Sequence, residues 1–588
     1  MVKKKWGQFF LVLSLVTSLL FCGLAFSVAR IDLDFSRRWL SFSLWILSIS
    51  ILPIYIVCQK IGKTNFKKIL KKEELLALAI IILLTLISRF IFLKTYPFVA
   101  VMDEIRDGGL NAYQVANGVI RNIHGYGRYE SHGLIIPILI IPFAQIFRNS
   151  VFAYRVPTAL ISFLDILTIY YLSRKIFNRR VAFFASLILI NIPLHLYYSR
   201  TEIVVIFSSL LTSILLLLFY FLIKNKNLKH YVLMGLALGF CSGFHASVRT
   251  VVFATILAVI LTTIFFLFKE KNKLNISFRL LFLFIFFFVG FGPRLLFTSP
   301  NVFFHSRTIS LINQETDTSR SFLSLLVENR QRLTQNYMNS FGAYINKPVY
   351  MHFQDRKPIL SPLLSIFFIL GIISSLFITK NWFAKYLVIL AFLLPFTNSA
   401  ITECINCDHR LLPMLPIAAV LSALGFEFLI SAMARLGLKK RLFINLSFFI
   451  FAGYILFQGY LFFSTESASR GKGVSDYLSM HTAYLLQSLP TQSQICLIVS
   501  PKNYNFFNLL HIKEQYEFFL PNIRIEKTIK PELLENEIYI TKDCNFSEKS
   551  FVLYQLCLKK SKFLCPLDYE NTLNIYIDRH LKKDFILK

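Results

Sequence analysis

The chain has 588 residues, of which 55% are hydrophobic and 16% are charged, and its mean hydropathy is +0.58. In soluble globular proteins about a quarter of the residues are charged, so this composition excludes a cytosolic enzyme and a disordered scaffold. Much of the formal net charge of +31 comes from basic residues in the loops between predicted membrane spans. The charge therefore does not indicate a nucleic-acid partner.

Long apolar segments predict a multispanning α-helical membrane protein. A spanning helix needs about 20 mostly apolar residues. Thirteen segments satisfy this requirement: 8–29, 39–58, 74–93, 151–172, 181–198, 203–223, 231–246, 251–268, 280–297, 359–379, 383–400, 411–432 and 442–463. The segment 133–147 is shorter and contains Pro137 and Pro142, so we predict a re-entrant or interfacial helix there. The first segment resembles a signal peptide in its Lys-rich start, but its length favours an uncleaved helix.

Basic residues cluster in the short loops between these spans, in particular in 60–72, 174–180, 224–229, 269–279 and 435–441. Lys and Arg are enriched in short cytoplasmic loops. If the thirteen spans cross and segment 133–147 does not, every basic cluster lies on the side of the N-terminus. We therefore predict a cytoplasmic N-terminus and an extracytoplasmic C-terminal region.

This topology divides the chain into three parts. Residues 1–73 form two N-terminal helices and a cytoplasmic loop. Residues 74–463 form the transmembrane core, with outer loops at 94–150 and 294–358. Residues 464–588 form an extracytoplasmic domain.

The extracytoplasmic domain is predicted to be α/β, with a packing, capping or acceptor-binding role. Helical spacing is present in segments 474–489 and 505–519. Three segments rich in β-branched and aromatic residues are predicted to be strands: 494–499, 537–541 and 551–558.

Six of the nine cysteines fall in the predicted outer parts: Cys404, Cys407, Cys496, Cys544, Cys557 and Cys565. An extracytoplasmic compartment permits disulfides. No second Cys-x-x-Cys accompanies Cys404 and Cys407, so we expect a structural disulfide or two thiols there rather than a zinc or redox site.

The first outer loop contains an adjacent carboxylate pair, Asp103 and Glu104, about ten residues beyond the end of a predicted span. By position alone, such a pair is a solvated acidic patch, an N-cap for the next helix, or a functional site.

Five motifs in this order resemble the polyprenyl-phosphate-sugar glycosyltransferases of the GT-C kind, which include the protein O-mannosyltransferases and the lipid A aminoarabinose transferase. They are 89–93 (RFIFL) followed by Asp103-Glu104 and Asn117-Gly118, then 155–160 (RVPTAL), 174–180 (RKIFNRR), 198–202 (YSRTE) and 410–416 (RLLPMLP). The resemblance covers roughly 75–463. Residues 130–134 (ESHGL) depart from the family's Pro-Pro-Leu, and two predicted spans precede the family's first helix.

The resemblance implies an inverting enzyme that moves a hexosyl or pentosyl group from a polyprenyl phosphate to a lipid, glycan or protein acceptor. It places the reaction on the periplasmic or luminal face, and we expect a bacterial inner membrane. It also implies that Asp103 is the general base and that Glu104 supports it.

Other polar residues are candidates for substrate binding. Arg249 and Arg410, at predicted outer helix ends, suit phosphate oxygens, although they also suit lipid headgroups. Glu202 is expected to bind the sugar or to pair with Arg200. Glu130 and His132 are also assigned to the substrate. Together with His245 they have ligand types that suit a divalent metal, but no spacing ties them together and no cofactor is assigned.

Two other functions stay open at this point. A transporter or flippase of a lipid-linked sugar is indicated by Asp165 and Arg89, which lie within predicted spans, where charges are costly and usually functional. We predict that Asp165 and Arg89 form a buried pair. A non-catalytic envelope protein that binds glycolipid is the third alternative.

Overall fold

The computed structural model describes most of the transmembrane core and the strands of the C-terminal region. The described residues are 2–32, 35–61, 72–94, 96–97, 109, 111–125, 133–147, 150–269, 273–298, 329–350, 357–402, 404–435, 440–464, 495–499, 523–527, 537–541, 551–557 and 572–578.

Twelve helices precede the second outer loop in the described part of the chain. They are α1 (Val2–Ile31), α2 (Arg38–Ile61), α3 (Lys72–Phe90), α4 (Asn111–Ala116), α5 (Ile135–Ile146), α6 (Val151–Ile176), α7 (Arg179–Asn191), α8 (Pro193–Tyr198), α9 (Phe207–Asn225), α10 (Leu228–Ser242), α11 (Ala246–Lys269) and α12 (Lys273–Phe291). Short 3₁₀ turns lie at Val204–Ile206 and Gly292–Phe297.

Six further helices follow. They are α13 (Arg330–Gly342), α14 (Pro362–Ile373), α15 (Trp382–Pro395), α16 (Asp408–Leu411), α17 (Leu415–Arg435) and α18 (Lys440–Ser464). Single π-helical turns extend α14 and α15, at Ser374–Ile378 and Phe396–Ala400, and a 3₁₀ turn joins α16 to α17 at Leu412–Met414.

Within the described residues, nine helices are long and apolar enough to cross a membrane, so the chain is a multispanning integral membrane protein. The predicted count of thirteen is not confirmed, because four predicted spans differ: 74–93, 181–198, 231–246 and 359–379. Helix α3 carries Glu73, Glu74 and Arg89. Segment 181–198 is divided between α7 and α8 at Pro193, since proline lacks the N–H that a continuous helix needs.

The other two segments, together with segment 133–147, form short apolar helices. Helix α10 has 15 residues and packs closely on α12: a Cβ atom on Gly239 would overlap the carbonyl oxygen of Phe287. Helices α14 and α17 approach in the same way, because Gly425 lies against the carbonyl oxygen of Phe367. Small residues at such interfaces let helix backbones come close together in membranes.

Helix α7 lies at the centre of the helical bundle. Its residues from Val181 to Asn191 are all buried, and it packs against α3, α6, α17 and α18. The basic turn that precedes it is paired with acidic residues: Arg174 Nε lies 2.8 Å from Glu74, and Arg180 lies 3.5 Å from Glu427. These pairs fix the start of α7 against α3 and α17.

The described C-terminal residues form a five-stranded mixed sheet. The strands are β1 (Ile495–Val499), β2 (Ile523–Lys527), β3 (Glu537–Thr541), β4 (Phe551–Cys557) and β5 (Thr572–Asp578), in the order β2-β1-β3-β5-β4. Strand β1 is parallel to β2 and antiparallel to β3, with Ile495 opposite Ile523 and Leu497 opposite Ile540. Strand β5 is parallel to β3 and antiparallel to β4. The predicted helices 474–489 and 505–519 lie outside the described residues, so the α/β class of this region stays a prediction.

Candidate active site at the outer helix ends

Four residues assigned from the first outer loop lie outside the described residues. They are Asp103, Glu104, Glu130 and His132. The structure does describe the helix ends that the topology places on the same outer side.

Polar side chains from three separate parts of the chain come together at these helix ends. We call this group the outer polar cluster, and its members are Tyr198, Ser208, His245, Ser247, Thr250, Asn398, Asp408 and His409. Their side chains are joined by the hydrogen bonds and ring contacts described next. Carboxylate, imidazole, amide and hydroxyl groups bind sugar hydroxyls, and imidazole, amide and hydroxyl groups can also donate to phosphate oxygens.

Asp408 begins helix α16 and is fully buried. Its Oδ1 accepts a hydrogen bond from the Tyr198 hydroxyl at 2.7 Å and one from the backbone N–H of His409 at 2.6 Å. A buried carboxylate is tolerated only when it is hydrogen-bonded. Asp408 therefore fixes Tyr198, from the end of α8, beside His409.

His245 connects the start of α11 to this group. Its Nδ1 lies 2.7 Å from the Ser247 hydroxyl, which donates to Ser208 Oγ at 3.1 Å. The backbone N–H of Ser247 also donates to Nδ1 of His245, at 3.3 Å. The His245 ring lies edge-on to the His409 ring, with 5.8 Å between centroids. The two imidazoles thus connect the start of α11 to α16.

Asn398 ties the π-helical turn after α15 to the same place. Its Oδ1 accepts from the Thr250 hydroxyl at 2.6 Å, and its Nδ2 donates to the carbonyl of Ser247 at 3.3 Å. A π-helical turn inside an α-helix frequently marks a functional site. Here it lets the amide reach α11.

The second outer loop supports the turn that precedes Asp408. Tyr350 exchanges backbone hydrogen bonds with Asn406 and Asp408 at 3.0 and 2.9 Å. Asn406 has a positive φ of 58° and donates from its side chain to the carbonyls of Asn339 and Pro348. Cys404 and Cys407 form a disulfide across this turn, so the structural disulfide, one of the two expectations from the sequence, is the one observed.

Arg249 and Arg410, the predicted phosphate ligands, both lie at this end of the bundle and are half-buried. Arg249 is one residue from Thr250 and donates from Nε to the carbonyl of Ser242 at 3.3 Å. Arg410 follows His409 in α16. Both cations therefore flank the outer polar cluster.

Arg200 has a different environment from the one expected for a substrate ligand. It is fully buried, and its three guanidinium nitrogens donate to the carbonyls of Tyr96, Ser88 and Ile91 at 2.9, 2.6 and 2.7 Å. Burial, with Arg155 nearby, lowers the pKa of Arg200 to about 9, so the side chain stays charged at neutral pH. It caps the C-terminal end of α3, where helix carbonyls lack partners.

Glu202 is also fully buried. It lies close enough to Tyr154 for an electrostatic interaction with the phenol. The guanidinium of Arg200 donates its hydrogen bonds to backbone carbonyls rather than to Glu202. In the described residues, Arg200 and Glu202 of the YSRTE motif therefore have different contacts.

Arg89 and Asp165 are joined through a third residue. Asp165 accepts from the Ser213 hydroxyl at 2.5 Å and lies 3.2 Å from Nε2 of His195. Arg89 Nη2 lies 3.0 Å from Nδ1 of His195. Since arginine only donates, Nδ1 accepts and Nε2 carries the hydrogen that is donated to Asp165. The predicted direct pair is therefore corrected to a chain of Arg89, His195 and Asp165, all fully buried.

Several of these residues were not singled out from the sequence. Asp408 lies two residues before the RLLPMLP motif, and His195 lies within a predicted span. A charged or imidazole side chain at such a position is a detectable signal, because membrane segments rarely contain one without a function. Asn398 gives no comparable signal in a single sequence, and Tyr198 was noted only as the first residue of the YSRTE motif.

Among the described residues, no group of three His, Cys, Asp or Glu side chains has the geometry of a metal site. His245, the one described member of the proposed metal ligands, is hydrogen-bonded to Ser247. Glu130 and His132 lie outside the described residues, so the predicted ligand set of Glu130, His132 and His245 stays a prediction.

The chain is similar to known proteins over part of its length. Residues 131–297 match the model of the dolichyl-phosphate-mannose-protein mannosyltransferase family. Three of the five motifs, 155–160, 174–180 and 198–202, lie within this stretch, so the resemblance inferred from them is confirmed. No curated protein matches the chain significantly in sequence.

Solved structures of low sequence identity were also found. AglB, an oligosaccharyltransferase from Archaeoglobus fulgidus in complex with an inhibitory peptide and a dolichol-phosphate, is 15% identical with a TM-score of 0.44, over 73% of this chain and 59% of that chain. ArnT from Cupriavidus metallidurans in the apo state is 13% identical with a TM-score of 0.44, over 76% of this chain and 85% of that chain. The chain thus spans less than two thirds of the archaeal protein.

Proposed function

We propose that this protein is a membrane glycosyltransferase that moves a sugar from a polyprenyl-phosphate donor to an acceptor at the outer membrane surface. The observation that carries this proposal is the composition of the outer polar cluster. The stretch that matches the mannosyltransferase family supplies Tyr198 and His245, and a part of the chain more than a hundred residues later supplies Asp408 and His409 to the same place.

The donor chemistry suits the two flanking arginines. The bond between the anomeric carbon and the phosphate oxygen breaks with its electron pair going to the phosphate, through a transition state of oxocarbenium character. The leaving lipid phosphate gains negative charge, and guanidinium groups match phosphate oxygens in geometry and charge. We assign Arg249 and Arg410 to this role.

The acceptor hydroxyl forms the new bond to the anomeric carbon and loses its proton. A carboxylate near the membrane surface is a suitable general base, and we assign this role to Asp103, supported by Glu104. The assignment follows from the family resemblance. Glu130, His132 and Glu202 are assigned to substrate binding, whereas the contacts of Arg200 favour a structural role for that residue.

The proposed setting is a bacterial inner membrane with a cytoplasmic N-terminus. The C-terminal region at 464–588 then lies outside the cytoplasm, on the side of the outer polar cluster, as an α/β domain that packs on the core or binds the acceptor. The transferred group is a hexose or a pentose, and the acceptor is a lipid, a glycan or a protein. A screen of donors and acceptors identifies both.

Membranes containing the wild type or Asp103→Asn test this proposal. Each is supplied with a panel of polyprenyl-phosphate sugars, and release of the free lipid phosphate is followed at equal protein levels. We expect turnover by the wild type and a loss of about a hundredfold or more in the variant. Asp107→Asn, four residues further along the same loop, is the matched control. Equal turnover by wild type and Asp103→Asn removes Asp103 as the base.

A further inference from the structure

We propose that helix α2 holds the first outer loop in position through Arg38, which makes Arg38 a positioning residue for the reaction. This inference rests on the proposed function for its catalytic consequence, although the contact itself does not. Helices α1 and α2 lie outside the stretch that matches the mannosyltransferase family.

The first contact is made by the guanidinium of Arg38 at the start of α2. Its Nη1 donates to the carbonyl of Ile120 at 3.0 Å, and its Nη2 donates to the carbonyl of Val115 at 3.3 Å. Val115 lies in the last turn of α4, where helix carbonyls need external partners and favour a cation. Arg38 therefore caps α4 and also binds the chain that follows it.

The second contact lies one helical turn further along α2. Ser41 donates to the carbonyl of Ala25 in α1 at 2.8 Å, so its oxygen accepts from Nε2 of His124 at 3.0 Å. Ser41 and His124 are both buried. Burial, with Arg294 nearby, lowers the pKa of His124 to about 3, so a neutral imidazole makes this contact at physiological pH. Helices α1 and α2 and the loop are thereby joined at one point.

Trp45 connects the first outer loop to α12, which lies in the stretch that matches the mannosyltransferase family. Its ring N–H donates to the carbonyl of Val289 in α12 at 3.0 Å, and the Arg294 guanidinium lies 4.8 Å above its ring. The ring of His124 is 6.2 Å from that of Trp45. Helix α2 thus lies between the first outer loop and the end of α12, and it contacts both.

The held segment 111–125 lies between the residues assigned to catalysis and substrate binding. Asp103 and Glu104 precede it by a few residues, and Glu130 follows it closely. Orientation of catalytic groups contributes strongly to rate, and a displacement of about 1 Å can cost a hundredfold. Helices α1 and α2 are therefore part of the catalytic unit, in addition to being membrane spans.

Hydrogen exchange of the backbone amides of 111–125 tests the contact without any need for activity. The amides of Asn117, Gly118 and Ile120 are bonded within this segment, so their exchange reports its opening. In the purified full-length protein we expect Arg38→Gln to raise their exchange by about tenfold, because two hydrogen bonds from a charged group are lost. Arg37→Gln is the matched control: the neighbouring arginine has an exposed side chain and should leave exchange unchanged.

Steady-state turnover of the polyprenyl-phosphate donor tests the positioning role. We expect Arg38→Gln to lower kcat by about tenfold with little change in the donor KM, Arg38→Lys to recover part of that loss, and Arg37→Gln to match the wild type. Ser41→Ala is a milder second variant and should shift exchange and kcat in the same direction.

The outcomes separate the contact from the function. Wild-type exchange in both Arg38→Gln and Ser41→Ala overturns the contact. Raised exchange with unchanged kcat overturns the positioning role. If the wild type turns over no donor while exchange still rises in Arg38→Gln, the proposed function fails and the contact stands.

Discussion

Nε2 of His195 lies 3.2 Å from Oδ2 of Asp165, with both side chains fully buried inside the helical bundle. The other ring nitrogen accepts from Arg89. The positive charge of Arg89 and the negative charge of Asp165 therefore balance through a neutral imidazole. Each of these three side chains is hydrogen-bonded. Such an arrangement joins α3, α6 and α8 at the centre of the molecule.

Removing the cation should destabilise the protein strongly. Arg89→Met leaves Asp165 and His195 buried without their positive partner, and breaking a buried ionic network in this way costs about 3–5 kcal/mol. The measurement is the thermal unfolding midpoint of the detergent-solubilised protein. Thr168→Ala is the control, because Thr168 is half-buried on α6 and its hydroxyl donates to the carbonyl of Leu164 in the same helix; equal midpoints for the two variants contradict the network.

Arg200 and Arg249 should respond differently to the same substitution. Arg200→Gln removes three hydrogen bonds to backbone carbonyls at and just after the end of α3, and a hydrogen bond to a charged group contributes about 1.5–3 kcal/mol. We expect this variant to lose thermal stability and folded yield. Arg249→Gln should keep its stability and lose donor turnover. A stable Arg200→Gln protein with a raised donor KM would return Arg200 to the substrate site.

His124 predicts a dependence of stability on pH. Its pKa falls from 6.5 in the unfolded chain to about 3 in the folded protein. The unfolded chain therefore binds the proton first, so the stability from the neutral imidazole is complete above about pH 6.5 and is lost as the pH falls toward 3. At pH 5 the loss amounts to about 2 kcal/mol.

His124→Phe keeps an aromatic ring beside Phe297, on which His124 stacks, and removes the titrating group. The fall in unfolding midpoint between pH 7 and pH 5 should be smaller in this variant than in the wild type. An equal fall in both proteins assigns the acid sensitivity to other groups.

The disulfide before Asp408 should support the site. Cys404 and Cys407 are three residues apart, and a loop this short gives about 2 kcal/mol by the chain-entropy relation. The double substitution to serine should lower the unfolding midpoint and donor turnover, since the turn that leads into α16 is less restricted. Cys58→Ser, at an exposed free cysteine, is the control and should behave as the wild type.

Much of the fold follows from the apolar pattern of the sequence. Where the structure differs from the predicted elements, the cause is local. The segments that form α1, α2, α6, α9, α11 and α17 were predicted as spans because their apolar residues continue for the required length. Segment 181–198 was predicted as one span, but Pro193 divides it. Three strands lie where the pattern indicated them, whereas β2 and β5, in which apolar and polar residues alternate, were missed although that alternation is typical of a strand.

The candidate site was predictable only in part, since it depends on which helix ends meet. Arg249 and Arg410 were identified because they lie at predicted outer ends. Asp408, the partner of Tyr198, was missed because the two residues are more than two hundred positions apart and a single sequence does not show their contact. The Arg89–Asp165 relation was predicted as a direct pair, because the sequence does not show that His195 lies between the two side chains.

The most direct test of the proposed function follows the sugar itself. Purified protein in proteoliposomes is given a polyprenyl phosphate that carries a labelled sugar, together with a panel of lipid, glycan and peptide acceptors. We predict that label passes to an acceptor in equal amount to the lipid phosphate released, and that Asp103→Asn abolishes both. Label that stays on the lipid and changes leaflet indicates a flippase, label that stays bound without release indicates a binding protein, and either result contradicts the glycosyltransferase.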